Sequence, residues 1–151
     1  MAGLEITNKD WIDFNTDESG RCILKYNIGK LITPKNEDAD IAYIILMIQA
    51  ATEINNKAIG EKNHIAHISL ENATVFTCPI KLTVKIIRTL QEKLPTSLYK
   101  LNIYDAEEKY IFIWDSIKGF MHKDTLVKTT IYTKNGKKIT NVENLEKNLS
   151  N

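Results

Sequence analysis

His64 and His67 stand three residues apart in the stretch Asn63-His-Ile-Ala-His-Ile-Ser-Leu, a spacing that raises the question of a metal site. Residues 65–70 have the length and β-branched content of a strand. On a strand, positions i and i+3 point to opposite faces. One imidazole then faces the core and the other solvent, and no metal ligation is expected. Cys22 and Cys78 are the only cysteines, too few for a disulfide scaffold and without metal-site spacing. They read as small core residues. Asp105, Glu107 and Glu108 are close in sequence, as an acid–base pair would be. Placed before an apolar run, they are the polar start of a helix, where the dipole favours acids. The six glycines are scattered, so no loop cradles a phosphate. Lys134, Lys137 and Lys138 flank the turn pair Asn135-Gly136, as charges around an exposed turn do. No basic cluster is interleaved with aromatics, so nucleic acid is not an expected partner. The expectation is a non-enzyme: no catalytic residue, no metal, no cofactor.

The elements that would position any site follow from length and pattern. With 151 residues, one domain is expected. Composition is ordinary for a globular protein, 43% hydrophobic and 26% charged, and a net charge of +1 exerts no global pull on nucleic acid or anionic lipid. The opening MAGLEITNKDWIDF carries acids and no long apolar run, unlike a secretion signal. The strongest apolar run, Ile41 to Ile48, is too short to span a bilayer. A cytoplasmic, reducing-compartment protein is expected. Residues 1–20 read as an N-terminal arm and 21–151 as the single domain.

Along the chain, Cys22 to Ile28 reads as a strand. A helix follows over 37–57, opened by Pro34 and Asn36 with acids in its first turn. Its stretch IAYIILMIQAA is apolar nearly all round, which predicts a buried helix. Strands near 65–70, 98–104 and 129–133 alternate with helices near 79–94 and 107–121, and residues 142–149 make a short last helix. The helix over 79–94 is the clearest amphipathic one, with Ile80, Val84, Ile86, Ile87, Leu90 and Leu94 on one side. Such alternation predicts an α/β domain, a mostly parallel sheet with helices packed on it.

The helix near 107–121 has an unusual distribution. At 100° per residue, Tyr110, Ile113, Trp114, Ile117, Phe120 and Met121 share one broad face. Phe112 lands roughly opposite, among Asp115, Ser116 and Gly119, and Ile111 also sits off the main face. A second apolar surface of this kind needs something to touch.

The stretch from Leu94 to Tyr132 resembles the second half of a CRAL-TRIO domain, a lipid-binding module. The resemblance is carried by Leu94-Pro95 at a helix end and by Tyr104-Asp105-Ala106-Glu107 at the turn after a strand. It continues through Lys118-Gly119-Phe120-Met121 at the end of the aromatic helix, then a polar loop and helical turn, to a strand start at Lys128-Thr129. Upstream, Gly20-Arg21-Cys22-Ile23 and Ile68 to Asn72 resemble the family more weakly. The likeness spans about residues 20–149, without the bundle of helices that usually precedes the domain. Thr96 stands where phosphatidylinositol-binding members carry a Glu, while the headgroup lysine aligns with Lys128.

The resemblance implies a CRAL-TRIO-like fold that binds or transfers a lipid or other hydrophobic small molecule in an apolar pocket gated by residues 107–127. It implies ligand contacts from Tyr110, Ile113, Trp114, Ile117, Phe120 and Lys128, and transient membrane contact through Ile111 and Phe112. The alternative it implies is a non-catalytic protein-interaction module of divergent CRAL-TRIO type. A continuous apolar pocket of several hundred Å³ favours the first; a filled core with an exposed apolar patch favours the second.

Overall fold

The computed structural model describes residues 6–73, 80–107 and 117–139. Six strands form one sheet in simple sequential order: β1 (Ile12–Thr16), β2 (Cys22–Asn27), β3 (His64–Ser69), β4 (Leu98–Ala106), β5 (Thr129–Thr133) and β6 (Lys138–Ile139). β2 to β5 are parallel, and β1 and β6 cap the two edges antiparallel. The mostly parallel sheet expected from the alternation is therefore present. Two of its strands are additions. Residues 12–16, read as part of an arm, pair with β2 from Ile12↔Tyr26 to Thr16↔Cys22. At the other edge, the Asn135-Gly136 turn, with Gly136 at φ +87°, returns the chain into β6.

Helix α1 (Glu37–Asn55) joins β2 to β3, and α2 (Ile80–Lys93) precedes β4. Both crossovers step the same way along the sheet, and right-handed connections put both helices on one face. An ion pair between them, Lys85 Nζ to Glu37 Oε1 at 2.7 Å, agrees with that placement. α1 starts where its sequence says: the Asn36 side chain accepts the N–H of Ala39, and Glu37, Asp38 and Asp40 fill the first turn. Its burial corrects the expectation of a helix covered all round. Ile41, Ile44, Ile48 and Ala51 pack inward, whereas Leu46 is 64% and Ile54 73% exposed. α1 lies in an outer layer, so only one side of it meets the sheet.

The register builds two unlike faces. Tyr26↔Ile68, Ile68↔Ile103, Ile103↔Ile131 and Ile131↔Ile139 run as one ladder across the sheet. Beside it stands the rung Leu24↔Ala66↔Leu101. These residues face the helices. The other face carries Lys25, His67, Asn102 and Thr130, and the Tyr104 ring stacks on Tyr132 at 4.9 Å with His67 edge-on at 5.1 Å. His64 is buried and His67 half-exposed on opposite faces, as the strand period requires.

The expected helix over 107–121 lies mostly outside the described residues; Ile117 and Lys118 are helical, and Gly119-Phe120 turn. A short helix, α3 (Lys123–Val127), then leads into β5. The expected helix at 142–149, and Cys78 with Pro79, also lie outside the described residues.

Candidate functional site

A cavity of about 210 Å³ lies between the sheet and α2. Its floor is the apolar ladder: Tyr26, Ala66, Ile68, Leu101, Ile103 and Ile131. Thr83, Ile86, Ile87, Leu90 and Gln91 of α2, with Leu94 just past its end, form one wall, and Ile117, Met121 and Thr125 contribute another. Trp11, just ahead of β1, and Ile28, Leu31, Leu70 and Ala73 also line it, as do His64, the segment Pro95 to Leu98 in part, and Ala106 with Glu107 at the end of β4. Only a few polar side chains enter a wall that is otherwise hydrocarbon. Neither lysine nor arginine occurs among the described lining residues.

Local structure explains why the walls stand where they do. Gln91, a polar residue on the apolar side of α2, ties the two walls together. Its Nε2 donates to the Phe120 carbonyl at 2.9 Å. Its Oε1 accepts the His122 N–H at 2.7 Å and the Thr125 hydroxyl at 3.1 Å. At the end of β4, Asp105 adopts φ +62°, and the register shifts between Ile103 and Ala106. That bulge turns the strand at the place where the sequence shows Tyr104-Asp105-Ala106-Glu107.

A polar corner interrupts the floor. Tyr26 Oη and His64 Nε2 are 3.3 Å apart, both buried. The Tyr26 ring is tilted against Trp11, with centroids 5.5 Å apart, and against His64 at 6.4 Å. Burial pushes the His64 pKa down to about 4, with the Ser97 backbone opposing the shift, so the ring is neutral near pH 7. Burial, with the nearby Cys22 thiol adding to it, pushes the Tyr26 phenol up.

The residues expected to bind ligand are distributed unevenly. Ile117 lines the cavity. Phe120, placed with it on one helical face by the sequence, does not: the helix ends in a turn there, and the ring is 45% exposed beneath the Arg88 guanidinium at 5.8 Å. Lys128 is outside the wall too. Its Nζ donates to the Leu98 carbonyl at 2.9 Å and pairs with Asp124 at 3.1 Å, which fastens α3 to β4. Tyr110, Ile111, Phe112, Ile113 and Trp114 lie outside the described residues. Sequence reasoning did not single out Trp11, Tyr26, Thr83 or Gln91. Gln91 alone gave a signal, as an amide breaking the stripe of Ile87, Leu90 and Leu94.

Among the described residues no three His, Cys, Asp or Glu side chains gather as metal ligands, and no helix is long and apolar enough to cross a membrane.

The fold is similar to the crystal structure of Sfh5, with a TM-score of 0.67 at 17% sequence identity. That likeness covers 84% of this chain and 49% of the other, so this chain spans about half of its length. Among curated proteins none matches the sequence. The family comparison matches the CRAL/TRIO domain over residues 12–150, including the edge strand β1. That family generally binds and transfers lipids or small hydrophobic molecules. With nearly the whole chain matched and the sheet and helices arranged accordingly, this protein belongs to the CRAL/TRIO domain family.

Proposed function

We propose that this chain binds a small hydrophobic ligand, a lipid by preference, in the cavity between the sheet and α2, and does no chemistry on it. The cavity itself carries the reading: about 210 Å³ of space with almost wholly hydrocarbon walls. Well-packed interiors leave few voids larger than a water molecule. Filling this one with an apolar ligand recovers contacts its lining otherwise lacks. The size lies below the roughly 300–1,000 Å³ of drug-sized sites. A single chain or a compact ring system suits it better than a two-chain phospholipid.

Ile117 is the wall residue we assign to ligand contact, with Tyr110, Ile113 and Trp114 as its proposed companions. Gating by residues 107–127, and transient membrane contact through Ile111 and Phe112, belong to the same proposal, as does a cytoplasmic location. The test is native mass spectrometry of the delipidated protein after incubation with a total lipid extract. The expected result is a stoichiometric lipid adduct. An extract that leaves the mass unchanged, together with no uptake of a fluorescent fatty-acyl probe, overturns the reading.

A second reading, a protein-interaction module, is favoured by one observation. Leu46, Ala50 and Ile54 recur every four residues on the exposed side of α1. Leu46→Glu with Ile54→Glu would then abolish partner capture while leaving lipid uptake intact.

A further inference from the structure

The two long helices share one outer layer, yet their solvent sides differ in kind. α2 turns Lys81, Lys85, Arg88 and Glu92 outward, as a helix facing water does. α1 carries no charged residue from Ile41 to Thr52, about three turns of helix. Its exposed positions there are Ala42, Leu46, Gln49 and Ala50, followed by Glu53 and Ile54. A solvent-facing side that is uncharged over this length, and carries Leu46 and Ile54, marks an interaction site.

Ala42, Leu46, Ala50 and Ile54 follow one another at four-residue spacing. They form a single ridge, of the kind that packs into the groove of another helix. Small and large side chains alternate along it, and that order matters for symmetry. Consider an antiparallel copy of α1, related by a two-fold axis at the level of Ile48. It sets Leu46 against Ala50 of the second copy, and Ile54 against Ala42 of the second copy. Every large side chain then meets a small one, and the two-fold axis doubles each contact. A parallel copy sets Leu46 on Leu46 and Ala50 on Ala50, which leaves gaps at the alanines.

The charges agree with the antiparallel arrangement. Glu37 and Asp38 stand in the first turn of α1, and exposed Lys57 follows its last. Reversing one helix brings Lys57 of each copy toward the acids of the other and opposes the two macrodipoles. Glu53, beside the ridge, falls opposite Tyr43 rather than a like charge. A membrane fits this side less well. α1 holds Glu37, Asp38, Asp40 and Glu53 and no lysine or arginine, whereas helices that lie on anionic lipid carry basic residues on their polar face.

We propose that the exposed side of α1 is a homodimer interface, two copies pairing antiparallel with Leu46 and Ile54 of each seated over Ala50 and Ala42 of the other. This rests on the protein-interaction reading above, names the partner as a second copy of this chain, and is independent of what fills the cavity. One side of one helix is smaller than the roughly 800 Å² per partner of a standard interface, so the dimer is weak, with a Kd on the order of 100 μM.

The experiment is sedimentation equilibrium of the whole chain from about 5 to 500 μM, a range that brackets such a Kd. Wild-type protein is compared with Leu46→Ala, Ala50→Leu and the double variant carrying both. Alanine and leucine are the strongest helix formers and both positions are exposed, so all three variants should melt as wild-type protein does. Wild-type protein should show a monomer–dimer equilibrium. Each single substitution should weaken it at least about tenfold, and the double variant, which exchanges the large and small positions, should recover most of the affinity. Ala50→Leu separates a shaped seat from a merely sticky surface, because it adds apolar area while blocking the place of Leu46. Association as tight in Ala50→Leu as in wild-type protein overturns the proposal. So does a double variant as weak as the single ones, or a wild-type chain monomeric throughout the range. A monomeric chain that captures a different protein, and loses it in Leu46→Glu with Ile54→Glu, overturns self-pairing and leaves the protein-interaction reading standing. A monomeric chain that instead binds liposomes through those two residues overturns both.

Discussion

Tyr26 and His64 meet 3.3 Å apart under the helical layer, the phenol of β2 against the imidazole of β3. Both side chains are buried, and the contact brings a titratable ring into the floor of the cavity. Its protonation is therefore coupled to folding.

The His64 pKa falls from 6.5 to about 4 in the folded chain. Between those values the unfolded chain binds a proton that the folded chain refuses. Stability from this group is fully present above pH 6.5 and declines as pH falls toward 4. At about 1.36 kcal/mol per unit, the total loss is on the order of 3 kcal/mol. Urea denaturation across pH 7.5 to 4.5 should show the decline, and His64→Phe should flatten it over this window. A slope that persists unchanged in a folded His64→Phe variant rules this residue out as its source.

Asp40 holds the segment before β1 onto the first turn of α1. Its Oδ1 accepts the Thr7 N–H at 2.8 Å, and its Oδ2 accepts both the Asn8 N–H at 3.1 Å and Asn8 Nδ2 at 2.7 Å. Asp40 is fully buried. Asp40→Ala strands three donors and should cost on the order of 3 kcal/mol. Asp40→Asn keeps the shape and one acceptor and should cost less. Chemical denaturation of the two variants measures the difference. Equal small losses would mean the segment is held chiefly by Trp11 and its packing.

Sequence pattern carried some of this structure and not the rest, for definable reasons. α2 and β3 were legible because their apolar positions recur at the helical and strand periods over enough residues. β1 was not: only Ile12 of Ile12–Thr16 is buried, since the strand lies at an edge, so alternation in Ile-Asp-Phe-Asn-Thr carries little signal. β6 has two residues, too few for any period. The strands of the cavity floor were legible and the cavity was not, because a residue lining an empty space and one lining a filled space have the same side chains. Resemblance to the family drew attention to Ile117, Phe120 and Lys128, and the turn at Gly119-Phe120 separated the first from the second. Trp11, His64 and Thr83 come from three distant segments, and only the fold brings them to one cavity.

Gln91 links α2 to the segment before α3 through three hydrogen bonds of 2.7 to 3.1 Å. They lie mostly at the surface, so each contributes roughly 0.5–1.5 kcal/mol. Gln91→Ala should lower stability by about 1–3 kcal/mol and free the wall that carries Met121 and Thr125. Exchange of a fluorescent lipid should then be faster than in wild-type protein, while hydrogen exchange rises at residues 120–125. Faster exchange without increased amide exchange there would point to a different route into the cavity.

Ile117 is half-buried and borders the cavity from the wall that Gln91 ties to α2, so it is a position where added volume enters empty space. Overpacking a filled core costs typically 1–3 kcal/mol, because neighbours are forced from their rotamers. Ile117→Trp escapes that cost here if the indole occupies the void. The variant should therefore fold with a melting temperature near that of wild-type protein, while uptake of a fluorescent lipid falls at least about tenfold, equivalent to 1.4 kcal/mol. A strong loss of melting temperature would show that residue 117 has no space before it. An unchanged melt with unchanged uptake would mean the lipid lies elsewhere, and the exposed face of α1 at Leu46 and Ile54 becomes the better guide to what this chain does.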